Sequence, residues 1–438
     1  MSALALLAKS RGVSVTGCDT NPNAAAEVAD LGVPVTIGHD VDHVSGARAV
    51  VYTAAVPAQL PELEAARKAG IPVVKRAAAL QSAIASGRSV AIAGTHGKTT
   101  TTVMATTALI TAGLDPTAIV GGRVAEWGGN ARVGESDLFV VEADEYDSSF
   151  LELRPEVAVV NNVEADHLEC YGSVENLEAA FAQFAGRAQR VLVGSDDGGA
   201  TRVARVVDRP TWRVGLAAGA DLRLIEVVRR PERSAAKLEL PDGSAVALEL
   251  KLPGLHNLRN AAMAVGTVLA LGGDVESAAR GLSDYVGVAR RFQILGTAAG
   301  VTVVDDYAHH ATELAVTLAA ARQRFPGRRL VAVFQPHLYS RTQAQGQALG
   351  IVLSTADLVV VTDVYPAREK PIRGVSGKMV AKAARTAGAP VEWVERIADL
   401  PSVLNRLVRD GDVVLTLGAG DITQTGPELL SALGGAAA

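Results

Sequence analysis

The sequence has 438 residues, which exceeds the size of one hydrophobic core and predicts about three domains. Its 42 basic and 47 acidic residues include no long basic run, so the charge pattern argues against nucleic acid or an anionic membrane as a partner. With 48% hydrophobic residues, the chain is too apolar for a disordered protein. The expected partners are therefore small molecules.

Signals for export or membrane insertion are weak. The longest apolar run near the start, residues 3–8, is too short for a secretory signal, and no later run is long enough for a membrane-spanning helix. The two cysteines, Cys18 and Cys170, have no metal-ligand partner at close sequence spacing, and we interpret them as reduced, incidental thiols. These features predict a cytoplasmic protein that does not bind membranes.

Residues 1–88 predict a first α/β domain. Helical patterns cover residues 1–10, 23–31 and 61–69, and strand patterns cover residues 13–19, 33–36, 49–53 and 71–74. This alternation predicts a parallel, Rossmann-like sheet whose usual first strand and glycine loop would come before the first helix. Asp19 and Thr53 end two of the strands and are candidate contacts to a ribose or sugar nucleotide. For Asp19, capping a helix is an equally good interpretation.

A second domain, residues 89–291, opens with a candidate phosphate-binding loop. An apolar strand pattern at 89–93 precedes the loop, a helical pattern at 101–112 follows it, and the loop itself consists of Gly94, Thr95, His96, Gly97, Lys98, Thr99 and Thr100. Glycines let backbone N–H groups approach phosphate oxygens, a lysine neutralises their charge, and a threonine hydroxyl is a Mg²⁺ ligand. The alternative is a plain turn with an exposed lysine.

Two further strand patterns of this domain end in polar residues. The first, residues 138–142, ends in Glu142, and the second, residues 156–163, is followed by Asp166 and His167. Because carboxyl ends of parallel strands share one edge, we expect these groups to converge with Lys98 and Thr99. Glu142 is the candidate Mg²⁺ carboxylate and His167 a candidate ligand of a second metal. A solvated acidic turn and a structural histidine are the alternatives.

Residues 190–250 have strand patterns with a hairpin turn at 241–244, and a helix is predicted over 260–271. The side-chain amides of Asn257 and Asn260, at the start of this helix, are candidates for reading an adenine edge. Helix capping explains Asn257 as well.

Residues 292–438 predict a third, C-terminal α/β domain. Strand patterns at 301–304, 330–334, 358–362, 391–394 and 413–417 alternate with helical patterns. The first two strands are followed by loops that carry Asp306, Tyr307, His309, His310, His337 and Arg341. Because both loops would lie at the carboxyl edge of a parallel sheet, we interpret them as a binding site for a small charged substrate, with a metal site as the alternative. The glycine turn at 418–421 is interpreted as structural.

Taken together, these motifs resemble those of the Mur ligase family. The resemblance runs through nearly the whole chain in the same order and rests on residues 94–100, 142–145, 166–167, 256–260, 290–292, 305–310 and 335–342. It implies an α/β fold of three domains: an N-terminal Rossmann-like domain that lacks its first strand and glycine loop, a central P-loop-type ATPase domain and a C-terminal Rossmann-like domain. It also implies ATP and Mg²⁺ as cofactors.

The family's chemistry implies that this chain joins L-alanine to the carboxylate of UDP-N-acetylmuramate through an acyl phosphate, in peptidoglycan precursor synthesis. By the resemblance, the catalytic residues are Lys98, Glu142, His167, His309 and Arg341, and the metal ligands are Thr99, Glu142 and His167. His256, Asn257, Asn260 and Arg291 would contact ATP. The alternatives are a relative that joins the muramyl nucleotide to a preformed peptide, a folate polyglutamate ligase, and a catalytically weak nucleotide-binding form.

Two departures from the family pattern stand out. Leu338 replaces a basic residue between His337 and Tyr339, and Ala311 replaces a proline after the two histidines. The sequence also begins with Met1-Ser2-Ala3, where the family has the helix that follows its glycine-rich loop. We therefore expect either a native start further upstream or a fragment that binds the sugar nucleotide weakly.

Overall fold

The computed structural model describes residues 1–53, 55–57, 59–367 and 369–434, apart from the side chain of Glu27. Helices and strands alternate along the chain, as the sequence predicts, and the α/β fold class is confirmed. The helices are α1 (Ser2–Ser10), α2 (Pro22–Asp30), α3 (Pro61–Lys68), α4 (Arg76–Ile84), α5 (Lys98–Thr111), α6 (Leu168–Tyr171), α7 (Val174–Ala185), α8 (Gly198–Val206), α9 (Leu255–Ala270), α10 (Val275–Leu282), α11 (Ala311–Arg324), α12 (Tyr339–Leu353), α13 (Lys378–Thr386), α14 (Leu400–Leu407) and α15 (Thr425–Ala432).

The strands of the first half of the chain are β1 (Gly17–Asp19), β2 (Val35–Ile37), β3 (Val50–Tyr52), β4 (Val73–Lys75), β5 (Arg88–Ala93), β6 (Thr117–Val124), β7 (Gly129–Arg132), β8 (Leu138–Glu142), β9 (Val157–Val160), β10 (Arg190–Gly194) and β11 (Thr211–Gly215). Those of the second half are β12 (Leu222–Arg230), β13 (Arg233–Glu239), β14 (Ala245–Leu250), β15 (Gln293–Ala298), β16 (Val301–Asp306), β17 (Leu330–Phe334), β18 (Leu358–Val361), β19 (Val391–Trp393) and β20 (Val413–Leu417).

The chain divides into two compact units. Unit 1 comprises residues 1–225, 237–248 and 259–282, and unit 2 comprises residues 226–236, 249–258 and 283–438. The N-terminal region shares unit 1 with the predicted central region because Leu7 of α1 and Ile84 of α4 belong to the same apolar core as Phe139 and Phe150.

The N-terminal region of unit 1 differs from the single parallel sheet that we expected. In the described residues, β1 pairs with β2 and β3 pairs with β4, each pair parallel, as two separate two-stranded sheets. Every one of these strands has three residues, so each pair is short. The predicted strand over 13–19 is only its last three residues, Gly17–Asp19.

A larger sheet carries the polar strand ends of unit 1. Its order is β14-β13-β12-β11-β10-β9-β5-β8-β6-β7, and the division between the units runs through β12, β13 and β14. β5 lies between β8 and β9 and is parallel to both. The carboxyl ends of these three buried strands therefore share one edge, which places the loop after β5 beside the residues that follow β8 and β9.

Unit 2 contains a six-stranded sheet of order β15-β16-β20-β17-β18-β19. All neighbours are parallel except β15 and β16. Apolar cores cover it on both sides, one including Leu314, Leu349 and Val380 and the other Leu404 and Leu429. β20 separates β16 from β17, so the loops after β16 and β17 flank the end of β20. In the described part of the chain, no helix is both long and apolar enough to cross a membrane.

Candidate active site

The loop after β5 has the backbone geometry of an anion cradle. Gly94 has φ +138° and Gly97 has φ +77°, conformations that favour glycine. A Cβ on Gly94 would lie 2.9 Å from Asn161 Cβ, and a Cβ on Gly97 would lie 2.9 Å from Asn260 Oδ1. The loop leads directly into the 14-residue helix α5, whose first N–H groups favour a bound anion.

Hydrogen bonds fix this loop to the end of β9. The Thr95 N–H donates to the Asn162 carbonyl at 3.1 Å, and the His96 N–H donates to Asn162 Oδ1 at 2.7 Å. Thr95 Oγ1 accepts the Glu164 N–H at 2.9 Å, and His96 Nε2 lies 3.3 Å from Glu164 Oε2. The loop is thus held in shape by neighbouring residues of unit 1.

Lys98, the first residue of α5, is buried against a carboxylate. Its Nζ donates to the Gly94 carbonyl at 2.7 Å and lies 2.8 Å from both oxygens of Glu145. Burial alone would lower the pKa of Lys98, but the negative charges of Glu145, Asp144 and Glu142 outweigh it and raise that pKa. The lysine is therefore a fixed positive charge at the helix N-terminus.

Thr99 and Glu142 contact each other, as the sequence predicts for a metal site. Thr99 Oγ1 donates to the Glu142 carboxylate, with oxygen–oxygen distances of 2.9 and 3.0 Å, and Gly121 N–H donates to Glu142 Oε2 at 2.6 Å. Adjacent ligands of octahedral Mg²⁺ lie about 2.9 Å apart, because each Mg–O distance is about 2.0–2.1 Å. The hydroxyl and the carboxylate thus fit Mg²⁺. Thr100 is buried in the same helical turn.

His167 lies after β9 in a strained backbone conformation, with φ +52°. Its Nε2 is 3.7 Å from Asp166 Oδ2, its Nδ1 is 3.4 Å from Glu169 Oε1, and its ring meets Tyr146 edge-on at 5.2 Å. These contacts hold the imidazole beside carboxylates. A role as a ligand of a second metal stays a prediction.

The predicted adenine-side residues fall in different units. Asn260 belongs to unit 1 and lies against the phosphate loop, where its Oδ1 approaches Gly97. His256 and Asn257 belong to unit 2. The His256 ring lies beside Gly254, and Asn257 Nδ2 donates to the Pro253 carbonyl at 2.7 Å, which ties down the start of α9. Asn257 lies inside α9 and donates rather than accepts, so this bond is not a helix cap, and contact of Asn257 with adenine stays a prediction.

In unit 2, Asp306 organises the loop that follows β16. Its Oδ2 accepts the Phe292 N–H at 2.7 Å, and its Oδ1 accepts the Ala308 N–H at 2.8 Å. Burial raises the pKa of Asp306 to about 6, although the Arg291 charge and the two N–H donors oppose this shift. These bonds give Asp306 a role in holding the loop in place, and its contact with substrate stays a prediction.

Four rings form a row on the loops after β16, β17 and β18. The ring centroids of Tyr307 and His309 are 5.4 Å apart, those of His309 and His337 are 5.8 Å apart, and Tyr365 stacks on His337 at 5.7 Å. Arg341 Nη1 lies 3.4 Å from His337 Nδ1. The structure thus brings together four residues that the sequence predicts, and Tyr365 completes the row.

The remaining predicted residues of unit 2 have mainly packing contacts. The guanidinium groups of Arg290 and Arg291 lie 4.9 and 5.0 Å from the centre of the Tyr307 ring. Arg290 also donates to the Gly418 carbonyl at 2.6 Å, which supports the structural interpretation of that glycine turn. His310 is buried, with Nε2 3.0 Å from Gln345 Nε2 of α12. Contact of Arg291 with ATP and of His310 with substrate stay predictions.

Asp19 and Thr53, the predicted sugar-nucleotide contacts, are both used in local turns. Asp19 Oδ1 accepts the Asn21 N–H at 2.8 Å, and Thr53 Oγ1 accepts the Ala55 N–H at 3.0 Å. Asn21 itself caps α2. Asp19 therefore does not itself cap α2, as its alternative interpretation held, but accepts the N–H of the residue that does. Contact of Asp19 and Thr53 with the sugar nucleotide stays a prediction.

Sequence reasoning missed several residues that shape the site. Asn161 and Asn162 were treated as part of a strand, yet Asn161 Nδ2 donates to Thr101 Oγ1 at 3.0 Å and Asn162 supports His96. Two amides at the end of a strand beside a phosphate loop were the available signal. Glu145 is one of four acidic residues between positions 142 and 147, and nothing in its spacing separates it from Asp144 or Asp147.

Three family models match the chain in succession. The Mur ligase family, catalytic domain, matches residues 1–88; the Mur ligase middle domain matches residues 92–268; and the Mur ligase, glutamate ligase domain, matches residues 290–420.

Two full-length relatives are named UDP-N-acetylmuramate–L-alanine ligase. The protein from Laribacter hongkongensis is 44% identical, over 100% of this chain and 96% of the relative. The protein from Streptomyces avermitilis is 42% identical, over 99% of this chain and 95% of the relative.

Solved structures share the architecture. The UDP-N-acetylmuramate-alanine ligase MurC from Thermotoga maritima has a TM-score of 0.84 at 29% identity, over 99% of this chain and 96% of that one. A murein peptide ligase from Psychrobacter arcticus has the same fold, with a TM-score of 0.72 at 24% identity. Because the family models span most of the chain and relatives match it at full length, this chain belongs to the Mur ligase family.

Proposed function

We propose that this protein is an ATP-dependent ligase that joins L-alanine to the carboxylate of UDP-N-acetylmuramate, in the synthesis of peptidoglycan precursors. The observation that carries the proposal is the arrangement at the start of α5, where Lys98 and the Thr99–Glu142 pair meet at one sheet edge. The full-length relatives whose names state this reaction support the choice of substrates.

The loop and Lys98 would bind the ATP phosphates. In this structure the Lys98 ammonium contacts the Glu145 carboxylate, whose oxygens are negatively charged like those of a phosphate. A triphosphate at the helix N-terminus would compete with Glu145 for the ammonium and would also receive the loop N–H groups. Because Lys98 is buried, its attraction to the phosphates is little screened by solvent.

Thr99 and Glu142 would hold Mg²⁺, and His167 is a candidate ligand for a second ion. A divalent cation beside ATP supplies positive charge to the phosphates during phosphoryl transfer. The carboxylate of the muramyl substrate and the triphosphate are both anions, so Lys98 has to reduce their repulsion before they can meet. The Gly121 N–H donates to the Glu142 carboxylate and orients it for binding Mg²⁺.

The reaction that we propose has two steps. A carboxylate oxygen of the muramyl group attacks the γ-phosphorus and the bond to ADP breaks, which gives an acyl phosphate. The neutral amine of L-alanine then attacks the carbonyl carbon, an amide bond forms, and inorganic phosphate leaves with the former carboxylate oxygen.

The row of rings in unit 2 is the candidate site for the amino acid. Arg341 carries a planar guanidinium that suits a carboxylate, and His309 and His337 present imidazoles next to it. We assign Arg341 to orienting L-alanine through its carboxylate, and His309 to accepting the proton that the amine loses.

Release of phosphate from ATP tests this function. The purified chain is incubated with ATP, Mg²⁺ and UDP-N-acetylmuramate, and L-alanine, glycine or a tripeptide is added in turn. The proposal predicts phosphate release that depends on L-alanine and a product heavier by one alanine residue. Turnover with the tripeptide alone would assign the chain to peptide ligation, and the absence of turnover with every acceptor would favour a nucleotide-binding protein without ligase activity.

A further inference from the structure

A second cluster of metal-ligating side chains lies in the N-terminal region of unit 1, where the sequence suggested none. Cys18 is in β1, His39 follows β2, and Glu62 is in the first turn of α3. These three residues present a thiol, an imidazole nitrogen and a carboxylate whose ligand atoms all lie within 4.8 Å of one another. The residues are 21 and 44 positions from Cys18, so the fold rather than sequence spacing brings them together.

The distances between the ligand atoms fit one small tetrahedral ion. Cys18 Sγ is 3.4 Å from His39 Nδ1 and 3.3 Å from each oxygen of Glu62, and His39 Nδ1 is 3.1 Å from Glu62 Oε2. Tetrahedral zinc, with Zn–S about 2.3 Å and Zn–N and Zn–O about 2.0–2.2 Å, separates such atoms by roughly 3.3–3.6 Å. A small outward movement of each side chain would complete the geometry.

A fourth side chain supports the carboxylate from its other side. His43 Nδ1 lies 3.0 Å from Glu62 Oε1, while His39 lies near Oε2. Glu62 is buried, with a side-chain exposure of 7%, so its orientation is fixed by these neighbours. Carboxylate–histidine pairs of this kind commonly orient a metal ligand.

The ligand set also matches a divalent cation in charge. A thiolate, a carboxylate and a neutral imidazole carry a net charge of about −2, which one divalent ion balances. Binding would release the thiol proton to solvent as the metal–sulfur bond forms.

We propose that Cys18, His39 and Glu62 bind one Zn²⁺ ion, with His43 orienting the Glu62 carboxylate. Thiolate and imidazole ligands favour zinc over Mg²⁺, so this site is chemically distinct from the oxygen ligands at Thr99 and Glu142. The ion would connect three elements, namely β1, α3 and the loop that follows β2. The strands of this region have only three residues each. Its role would be to stabilise the N-terminal region.

Cobalt absorption spectroscopy tests the site directly. Co²⁺ is added to the purified full chain in the presence of excess Mg²⁺, and thiolate-to-cobalt charge transfer is measured. Ions at the oxygen ligands of the nucleotide site give no such band. We expect a saturable band at one Co²⁺ per chain, its loss on addition of Zn²⁺, and a rise in melting temperature with Zn²⁺.

Matched cysteine variants locate the ligand. Cys18→Ser should abolish the thiolate band and the Zn²⁺-dependent rise in melting temperature, whereas Cys170→Ser, which changes an exposed thiol, should retain both. His43→Ala should keep the band and weaken metal affinity roughly 10–100-fold. Circular dichroism verifies that each variant is folded. No thiolate band in the unchanged chain, or a band that survives Cys18→Ser, would overturn the proposal, and the unchanged chain gives this answer even if a variant fails to fold.

Discussion

The sheet edges of unit 1 and unit 2 that carry the candidate site residues present different chemical groups. In unit 1, backbone N–H groups, a lysine and carboxylates surround the start of α5, and their charges are held at distances near 2.8 Å. In unit 2, aromatic and imidazole rings contact one another along the loops, and the Arg341 guanidinium lies 3.4 Å from the His337 imidazole. The first edge suits a highly charged phosphate, and the second suits a small amino acid.

This difference in chemical groups predicts how activity should respond to substitutions at each edge. At the phosphate edge each polar group neutralises charge in a buried setting, so one removal should affect the chemical step strongly. In the ring row, several side chains would share the proposed contact with L-alanine. The loss of one ring should weaken binding more than it slows the chemistry.

Lys98→Ala should produce the largest effect. Without the buried ammonium, nothing replaces its charge at the start of α5, and kcat for L-alanine-dependent phosphate release should fall roughly 10²–10³-fold. The matched control is Lys251→Ala, which removes an exposed lysine paired with Asp284. A rate within a factor of a few of the unchanged enzyme for Lys98→Ala would contradict the role given to this lysine.

Glu142→Gln should have the next largest effect. The substitution keeps the size of the side chain but removes the charge that Thr99 contacts, so the Mg²⁺ concentration for half-maximal activity should rise roughly tenfold or more. Glu126→Gln, at an exposed carboxylate, is the control. An unchanged Mg²⁺ dependence in Glu142→Gln would remove this carboxylate from the metal site.

His337→Ala tests the ring row. The variant loses the ring that stacks on Tyr365 and meets His309, so the KM for L-alanine should rise roughly tenfold while the KM for ATP stays the same. Tyr365→Phe, which keeps the ring and removes only the hydroxyl, is the matched control. A rise in the KM for ATP with no change for L-alanine would place the amino acid elsewhere.

A smaller effect is expected from the buried carboxylate of Asp306. Its pKa of about 6 in the folded protein exceeds the unfolded value of about 3.9, so the folded state binds more protons between these two pH values. Stability should therefore fall as the pH rises from about 4 to 6, by roughly 3 kcal/mol from this group. Asp306→Asn should flatten that part of the curve, measured by urea unfolding at each pH. A parallel curve for the variant would show that Asp306 does not titrate in this range.

The sequence predicts the phosphate edge well because its determinants are contiguous. Strand, glycines, Lys98 and Thr99 lie within a dozen residues, and Glu142 ends the neighbouring strand β8, so parallel pairing alone brings them together. The partner of Lys98 was not predictable, because Asp144, Glu145 and Asp147 are equivalent in the sequence until the backbone turns after β8. Only the fold decides which carboxylate faces inward.

In the N-terminal region, by contrast, the structure depends on residues that are far apart in the sequence, so the sequence predicts it less well. Cys18 was interpreted as an incidental thiol because no ligand lies near it in the sequence, yet the fold places His39 and Glu62 against it. The same reasoning expected one sheet where the structure has two separate strand pairs. The two strand pairs and the neighbours of Cys18 both depend on contacts between distant segments, which periodicity and local spacing do not report.

Transfer of oxygen from the substrate tests the proposed ligase chemistry most directly. UDP-N-acetylmuramate labelled with ¹⁸O in its carboxylate is converted with ATP and L-alanine, and the released phosphate is analysed by mass spectrometry. The account predicts that one labelled oxygen appears in inorganic phosphate, because the carboxylate attacks the γ-phosphorus and loses that oxygen when the amide forms. Phosphate without label, or label found in AMP, would contradict an acyl phosphate formed at the Lys98 loop.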